Sequence, residues 1–363
     1  MNLKTSYLSE NRITALKKDK NQEIDFVQRL KLLRKQEPDI DTLLSGIFKG
    51  DKTLLAQAIT LVESTNPEHL TKSQALVTGC LSKASHSIRI GITGVPGVGK
   101  STFIEALGTH LTKNGHKVAV LAVDPTSSFT KGSILGDKTR MEHLAKDPKA
   151  FIRPSPTSES LGGVGRKTRE TIILCEAANY DVILVETVGV GQSETAVHSM
   201  VDFFLLLKLA GAGDELQGIK RGIMEMADAI VINKADGNNM KRVKLAATDF
   251  KRALHLYPPK ANGWSPKVLH CSALQNKGIA EIWSMIEEFT ADTKKSSFFE
   301  ANRAEQNKNW FLQSVDELLK NQFYQNQAVK NTVKTLLKQI NENQISPFAA
   351  AQKLLQTYNQ ELN

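Results

Sequence analysis

Residues 94–101, which read GVPGVGKS, combine residue types and a spacing that suit the binding of phosphate. They fit the pattern G-x-x-x-x-G-K-[ST] and lie between an apolar run and a stretch of helical spacing. Glycines let backbone N–H groups curl around phosphate oxygens, helped by the positive end of the following helix. Lys100 would reach the β- and γ-phosphates, and Ser101 would ligate Mg²⁺. The alternative is a glycine-rich turn without a ligand, which the flanking segments disfavour.

A second run, NKAD at residues 233–236, follows a buried apolar segment and suits the recognition of guanine. The Asp236 carboxylate can accept hydrogen bonds from guanine N1–H and from the exocyclic amine. Adenine offers an acceptor at that edge and would leave the carboxylate unpaired, which is costly in a closed pocket. Further on, SAL at residues 272–274 ends the last apolar run, where a backbone N–H could meet guanine O6. Together with the phosphate motif, these runs predict GTP as the ligand.

Three carboxylates stand where they could complete a magnesium site. Asp124 closes the run VAVLAVD, Glu186 closes DVILVE, and Asp137 lies in the loop GSILGDKTRM. Because Mg²⁺ keeps several waters and takes few direct carboxylates, one or two of the three would contact it and the rest would act through water. The alternative for each is a carboxylate that caps a helix or a turn.

The segment ETVG at residues 186–189 stands where many GTPases carry Asp-x-x-Gly. Gly189 can offer its N–H to a γ-phosphate, so that the loop through Glu194 would sense hydrolysis. In Ras-like enzymes the next residue is a glutamine that orients the attacking water, and here it is Val190. Unaided hydrolysis is therefore expected to depend on a water held by a carboxylate, or on a partner.

The elements that must position these residues can be predicted from hydrophobic periodicity. Six apolar, β-rich runs occur at residues 88–93, 118–124, 181–186, 202–207, 228–233 and 267–272. Strands buried on both faces and alternating with helices predict an α/β fold with a mainly parallel sheet wrapped by helices. Segments of helical spacing occupy both ends of the chain. The predicted division is a helical extension at 1–85, a P-loop GTPase domain at 86–292 and a helical arm at 293–363.

Composition limits the partners of this chain of 363 residues. The net charge is +9, but the lysines are spread along the chain and aromatic residues make up only 6%, so we expect no binding of nucleic acid. No run approaches the roughly 18 apolar residues of a membrane span, and the first residues show no secretory signal. The protein is therefore expected in the cytoplasm. Its three cysteines, Cys80, Cys175 and Cys271, show no metal-ligand spacing and are expected to be reduced.

Five segments together resemble one family, the MeaB-type GTPases, which are G-protein chaperones of methylmalonyl-CoA mutase and have also been labelled LAO/AO transport kinases. The segments are GITGVPGVGKST, VDPTSSFTKGSILGDKTRM, ETVGVGQSE, GAGDELQGIKRG and NKADGNN. The similarity runs from about residue 43 to residue 284. It implies that GTP binding and hydrolysis gate the delivery of adenosylcobalamin to an acyl-CoA mutase, with methylmalonyl-CoA mutase the first candidate, and protect that enzyme.

The resemblance also assigns roles to residues. Those implied to bind phosphate are Gly94, Val95, Pro96, Gly97, Val98, Gly99, Lys100, Ser101 and Thr102, with Gly189. Those implied to bind guanine are Asn233, Lys234, Asp236, Ser272, Ala273 and Leu274. Those implied to serve magnesium are Ser101, Asp124, Asp137 and Glu186, and the catalytic set is Lys100, Asp124 and Glu186. Residues 209–222 would form a switch that faces the client, and the C-terminal arm would form a homodimer.

Other functions fit the phosphate motif less well. A GTPase that delivers nickel would share this fold, but such proteins usually carry histidine tracts or a Cys-x-x-Cys pair, and the sequence has neither. A small-molecule or protein kinase would need an acceptor site distinct from bound water. A binding module would show no turnover. The chain also lacks Asp-x-His-x-x-Gly, the run that ligates cobalamin in such mutases, so the corrinoid is expected to belong to the client.

Overall fold

The computed structural model contains a parallel sheet with helices on both faces. It describes residues 38–83, 87–123, 141–154, 161–187, 193–211 and 221–362. The strands are β1 Ile88–Gly94, β2 Val118–Val123, β3 Ala150–Arg153, β4 Val182–Thr187, β5 Phe203–Leu209, β6 Ala229–Asn233 and β7 Lys267–His270. They lie in the order β3-β2-β4-β1-β5-β6-β7, and every neighbouring pair is parallel. The predicted parallel sheet is confirmed.

Strand β3 is the one element of this sheet that the sequence analysis did not predict. The other strands coincide with the predicted apolar runs to within two residues. β3 has four residues, pairs with β2 at the edge of the sheet, and leaves Ile152 and Arg153 partly exposed. It therefore lacks the long apolar run by which a strand buried on both faces is recognised.

Helices before the sheet cover one of its faces. They are α1 Ile40–Lys49, α2 Lys52–Glu63 and α3 Pro67–Leu81. Each begins after a side chain that accepts a hydrogen bond from a first-turn N–H, namely Asp39, Asp51 and Asn66. Their buried residues, such as Leu43 and Ile59, share a core with Ile183 of β4. These helices are thus part of the core around the sheet, whereas residues 1–37 of the predicted helical extension lie outside the described residues.

The helices that follow complete both faces. They are α4 Lys100–Lys113, α5 Glu142–Lys146, α6 Leu161–Ala177, α7 Ser193–His198, α8 Arg221–Met226, α9 Met240–Leu254 and α10 Ile279–Lys295. Helices α4 and α10 pack on one face through side chains such as Phe103 and Phe289. Helices α6 and α7 lie with α1, α2 and α3 on the other face, and α9 packs beside β6 and β7 through Val243 and Phe250.

The C-terminal arm consists of α11 Phe298–Gln325, α12 Gln327–Asn341 and α13 Pro347–Leu362. Many of its large apolar side chains are exposed: Phe311, Leu312, Leu318, Leu319, Tyr324, Leu337, Phe348 and Leu355. The first turns of α11 are fixed to the body by Arg303, which makes an ion pair with Asp202. Residue 292, the predicted boundary, lies in the last turns of α10, and the division into domains stays a prediction. None of the described helices combines the length and apolar character needed to cross a bilayer.

Candidate functional site

The phosphate motif forms a turn between β1 and α4, at the carboxyl edge of the sheet. Gly94 and Gly99 adopt positive φ angles of 154° and 94°. A Cβ atom at Gly94 would lie 2.7 Å from the carbonyl oxygen of Leu207, and one at Gly99 would lie 2.8 Å from Nδ2 of Asn233. Glycine is therefore required at both positions by conformation and by space. The turn leads directly into the N-terminus of α4 at this edge, as an anion site demands.

Lys100 is a buried cation at the start of α4. Its Nζ donates hydrogen bonds to the carbonyl oxygens of Gly94 at 2.8 Å and Val95 at 3.4 Å. Burial holds the pKa of Lys100 below its ordinary value, and the negative charges of Glu186 and Glu194 oppose that shift. Two carboxylates thus lie near the lysine, in the region where phosphates would bring further negative charge.

Ser101 and Glu186 provide adjacent oxygen atoms. Oγ of Ser101 donates a hydrogen bond of 3.3 Å to Oε1 of Glu186, near the end of β4. The next residue, Thr187, donates from Oγ1 to Oγ1 of Thr93 at 2.8 Å, which fixes the end of β4 against β1. A hydroxyl and a carboxylate side by side suit a hard cation such as Mg²⁺, so this pair fits the predicted metal.

Asn233 braces the site by joining the phosphate turn to the segment after β7. Its Nδ2 donates to the carbonyl oxygen of Val98 at 2.9 Å, and its Oδ1 accepts from the backbone N–H of Ala273 at 3.3 Å. Lys234, at a φ of 59°, donates from Nζ to the carbonyl oxygen of Gly97 at 2.9 Å. The sequence analysis assigned Asn233 to the guanine base. The bracing contacts could not be predicted, because they join residues that are distant in the chain.

Asp236 and Ser272 meet beside a cavity of about 530 Å³, which they line together with Gly237 and Gln275. Oγ of Ser272 donates a hydrogen bond of 2.6 Å to Oδ2 of Asp236. Leu274 is exposed, so any contact that it makes with a base would come from its backbone. The structure therefore brings NKAD and SAL together at one cavity, at the same edge as the phosphate turn.

Several predicted residues cannot be placed. Asp124, Asp137 and Gly189 lie outside the described residues, as does most of the loop 209–222. Glu194, by contrast, is predicted only as the end of a sensing loop, yet it is 1% exposed in the first turn of α7, and its negative charge opposes the lowering of the pKa of Lys100. In the sequence, the feature that could have pointed to Glu194 is an acidic residue directly after a glycine-containing loop. The roles of all these residues toward a ligand stay predictions.

Comparison with known proteins identifies the family. A family model described as methylmalonyl-CoA mutase-associated GTPase MeaB matches residues 55–328. The chain is 49% identical over 320 residues to a probable GTPase of Mycobacterium tuberculosis, covering 88% of this chain and 95% of that protein. It is 47% identical over 306 residues to GTPase ArgK of Escherichia coli, covering 84% and 92%. It is 43% identical over 334 residues to the mouse mitochondrial methylmalonic aciduria type A homolog, covering 89% and 80%.

A solved structure agrees with this result. The crystal structure of a LAO/AO transport system kinase superposes with a TM-score of 0.70 at 39% identity, covering 88% of this chain and 97% of that one. The fold is that of a P-loop GTPase, and relatives that span most of the chain are named GTPases. The protein thus binds guanine nucleotide and hydrolyses GTP. The chain belongs to the MeaB family of methylmalonyl-CoA mutase-associated GTPases.

Proposed function

We propose that the protein is a chaperone of an adenosylcobalamin-dependent acyl-CoA mutase, with methylmalonyl-CoA mutase as the first candidate. In this role GTP hydrolysis gates the delivery of adenosylcobalamin to the mutase and protects that enzyme. The observation that carries the proposal is the family match over residues 55–328, because its description associates the GTPase with this mutase. The name of a relative that spans most of the chain, methylmalonic aciduria type A homolog, also supports a role in methylmalonyl metabolism. A cytoplasmic location stays a prediction.

The site residues receive the following proposed roles. Backbone N–H groups of 94–102 hold the phosphates, and Lys100 neutralises charge that develops on them during hydrolysis. Ser101 and Glu186 hold Mg²⁺ with help from Asp124 and Asp137, and the ion, when bound, supplies positive charge to the β- and γ-phosphates. Asp236 pairs with N1–H and the exocyclic amine of guanine. Asn233 and Lys234 stabilise the phosphate turn, as their hydrogen bonds to that turn indicate.

A homodimer formed through the arm is the proposed assembly. Helices α11, α12 and α13 expose many large apolar side chains. Phe311 is 65% exposed and Phe348 is 74% exposed. Such a surface is stabilised when a second copy of the arm covers it.

Co-purification from cell extract tests the choice of client. The full chain, loaded with GDP or with a non-hydrolysable GTP analogue, is used as bait, and retention of an acyl-CoA mutase in at least one nucleotide state is expected. The Asp236→Asn variant, which should lose guanine nucleotide, is the control for dependence on nucleotide. If no acyl-CoA mutase is retained in either state, the proposed client is wrong.

Phosphate release tests the coupling of client and hydrolysis. The purified mutase is expected to accelerate release, because positive charge brought toward the γ-phosphate stabilises the transition state. Lys220 and Arg221, at the end of the loop 209–222, are the proposed source of that charge. The double alanine variant should lose the stimulation and keep basal turnover, whereas alanine at the exposed Lys241 and Lys244 of α9 should change neither. Release of phosphate without any added acceptor excludes a kinase.

A further inference from the structure

Helix α7 packs closely against β1, the strand that ends in the phosphate turn. Gly91 of β1 makes this approach possible, because a Cβ atom there would lie 3.0 Å from Cγ1 of Val197 and 2.8 Å from Cδ2 of Phe204. Val197 is fully buried. A small displacement of α7 would therefore open or overlap a tightly packed contact, and the position of this short helix is sharply defined.

The first turn of α7 carries the buried carboxylate of Glu194. Its negative charge, with that of Glu186, acts on the ammonium group of Lys100. Whatever fixes α7 therefore also fixes a buried negative charge that interacts with the lysine of the phosphate turn. Helix α7 has only six residues, too few to be stable without tertiary contacts, so that its position depends on its neighbours.

The far end of α7 is held by Arg169 of α6. The Nη2 atom of this arginine donates hydrogen bonds to Oγ of Ser199 at 2.6 Å and to the carbonyl oxygen of Ser199 at 3.2 Å. Ser199 follows α7 directly, and its Oγ also donates to the carbonyl oxygen of Ala196 at 2.8 Å. Arg169 is thus linked to the last turn of α7 through Ser199, whose hydroxyl bonds to the backbone of that turn.

Helix α11 of the arm supports the same arginine from the other side. Nη1 of Arg169 donates to Oε1 of Gln313 at 3.2 Å, and the guanidinium lies 5.7 Å from the ring centroid of Trp310. Arg169 is 8% exposed, so these contacts are made largely out of water. A planar guanidinium with donors on two sides is suited to link two elements, which lysine cannot do in the same way.

We propose that Arg169 is a positioning residue for GTP hydrolysis, which holds α7 against β1, the strand that ends in the phosphate turn, and thereby fixes the buried carboxylate of Glu194. The arginine acts through α7, and it makes the geometry of the phosphate site depend on the seating of the arm helix α11. This inference rests on the assignment of Lys100 to the phosphates of GTP, which is proposed above.

A double-mutant cycle tests the proposal in the full chain, with kcat and KM for GTP measured by phosphate release. Arg169→Met should lower kcat roughly tenfold and change KM less than about twofold. The reason is that displacement of the Glu194 carboxylate affects the energy of the transition state more than that of the bound substrate. In the Glu194→Gln background the same substitution should lower kcat less than about twofold, since the group through which Arg169 acts has lost its charge. Equal losses in the two backgrounds would overturn the proposal.

Two further variants keep the test decisive. Arg166→Met removes an arginine of the same helix that pairs with Glu170 at 3.4 Å, and it should leave kcat unchanged. Ser199→Ala retains Arg169 and should lower kcat in the same direction, so it replaces Arg169→Met if that variant does not fold. If Ser199→Ala leaves kcat unchanged, the proposal is wrong. Turnover that survives Lys100→Ala would instead show that the assignment of the phosphate site is wrong.

Discussion

Ser272 and Asp236, from two loops that the sequence assigns to guanine, are joined by a hydrogen bond of 2.6 Å between Oγ and Oδ2. The hydroxyl donates and the carboxylate accepts, because an ionised carboxylate has no proton to donate. Oγ of Ser272 in turn accepts a hydrogen bond from the backbone N–H of Gln275 at 3.2 Å. The hydroxyl proton is therefore available to the carboxylate. This contact orients Asp236 at the edge of the cavity before any base is bound, which reduces the ordering that binding would require.

Asp236→Asn is expected to shift the nucleotide preference from guanine to xanthine. The carboxylate accepts from two donors of guanine, whereas an amide can donate to the second oxygen of xanthine. Calorimetry with GTP, XTP and ATP should show GTP affinity reduced at least about a hundredfold and XTP affinity increased. Asp292→Asn, at an exposed position on α10, is the control and should bind GTP normally. Wild-type protein that binds ATP as tightly as GTP would contradict the assignment.

Lys100→Ala and Ser101→Ala should both abolish turnover, but for different reasons. Loss of the lysine removes positive charge from the β- and γ-phosphates, whereas loss of the serine weakens the hold on Mg²⁺. A magnesium titration of phosphate release should therefore partly rescue Ser101→Ala and leave Lys100→Ala inactive. Lys113→Ala, at the exposed end of α4, should behave as wild type. An equal response of the two site variants would refute this division of roles.

The local part of this site could be predicted from sequence, and the part that depends on long-range packing could not. The glycines, Lys100 and Ser101 form one continuous motif, and the strands that position them are recognisable because they are buried on both faces. Asn233 reaches Val98 across 135 residues of chain, and Arg169 reaches Gln313 across 144. No periodicity or spacing encodes such contacts, because they arise only when the sheet brings distant segments to one edge.

Arg303→Met is expected to destabilise the protein by about 3 kcal/mol, because it breaks a buried ion pair. The guanidinium donates to both carboxylate oxygens of Asp202 at 2.7 Å and to the carbonyl oxygen of Ser87 at 2.8 Å. Without it, the buried Asp202 carboxylate would lose two of its hydrogen bonds. Urea unfolding measures the change, with Lys308→Met as control, since the exposed pair with Glu305 contributes little. Equal stability of the two variants would show that the buried pair is not important.

Removal of the arm before Phe298 should yield a monomer that still binds GTP. The strands and loops that form the nucleotide site lie before residue 298, whereas the exposed apolar surface of the arm lies after it. Light scattering reports the mass, and calorimetry reports GTP binding. Turnover should nevertheless fall, because the truncation removes Trp310 and Gln313, which support Arg169.

Point substitutions separate the two effects of the arm. Phe311 and Leu318 of α11 are 65% and 61% exposed and, seven residues apart, lie on one face of the helix. Phe311→Glu with Leu318→Glu should give a monomer and preserve turnover, because the contacts of Arg169 remain. Gln322→Glu, at an exposed polar position on the same helix, is the control and should still have the mass of a dimer. A mass that is unchanged by both the truncation and the double substitution would exclude the arm from the assembly.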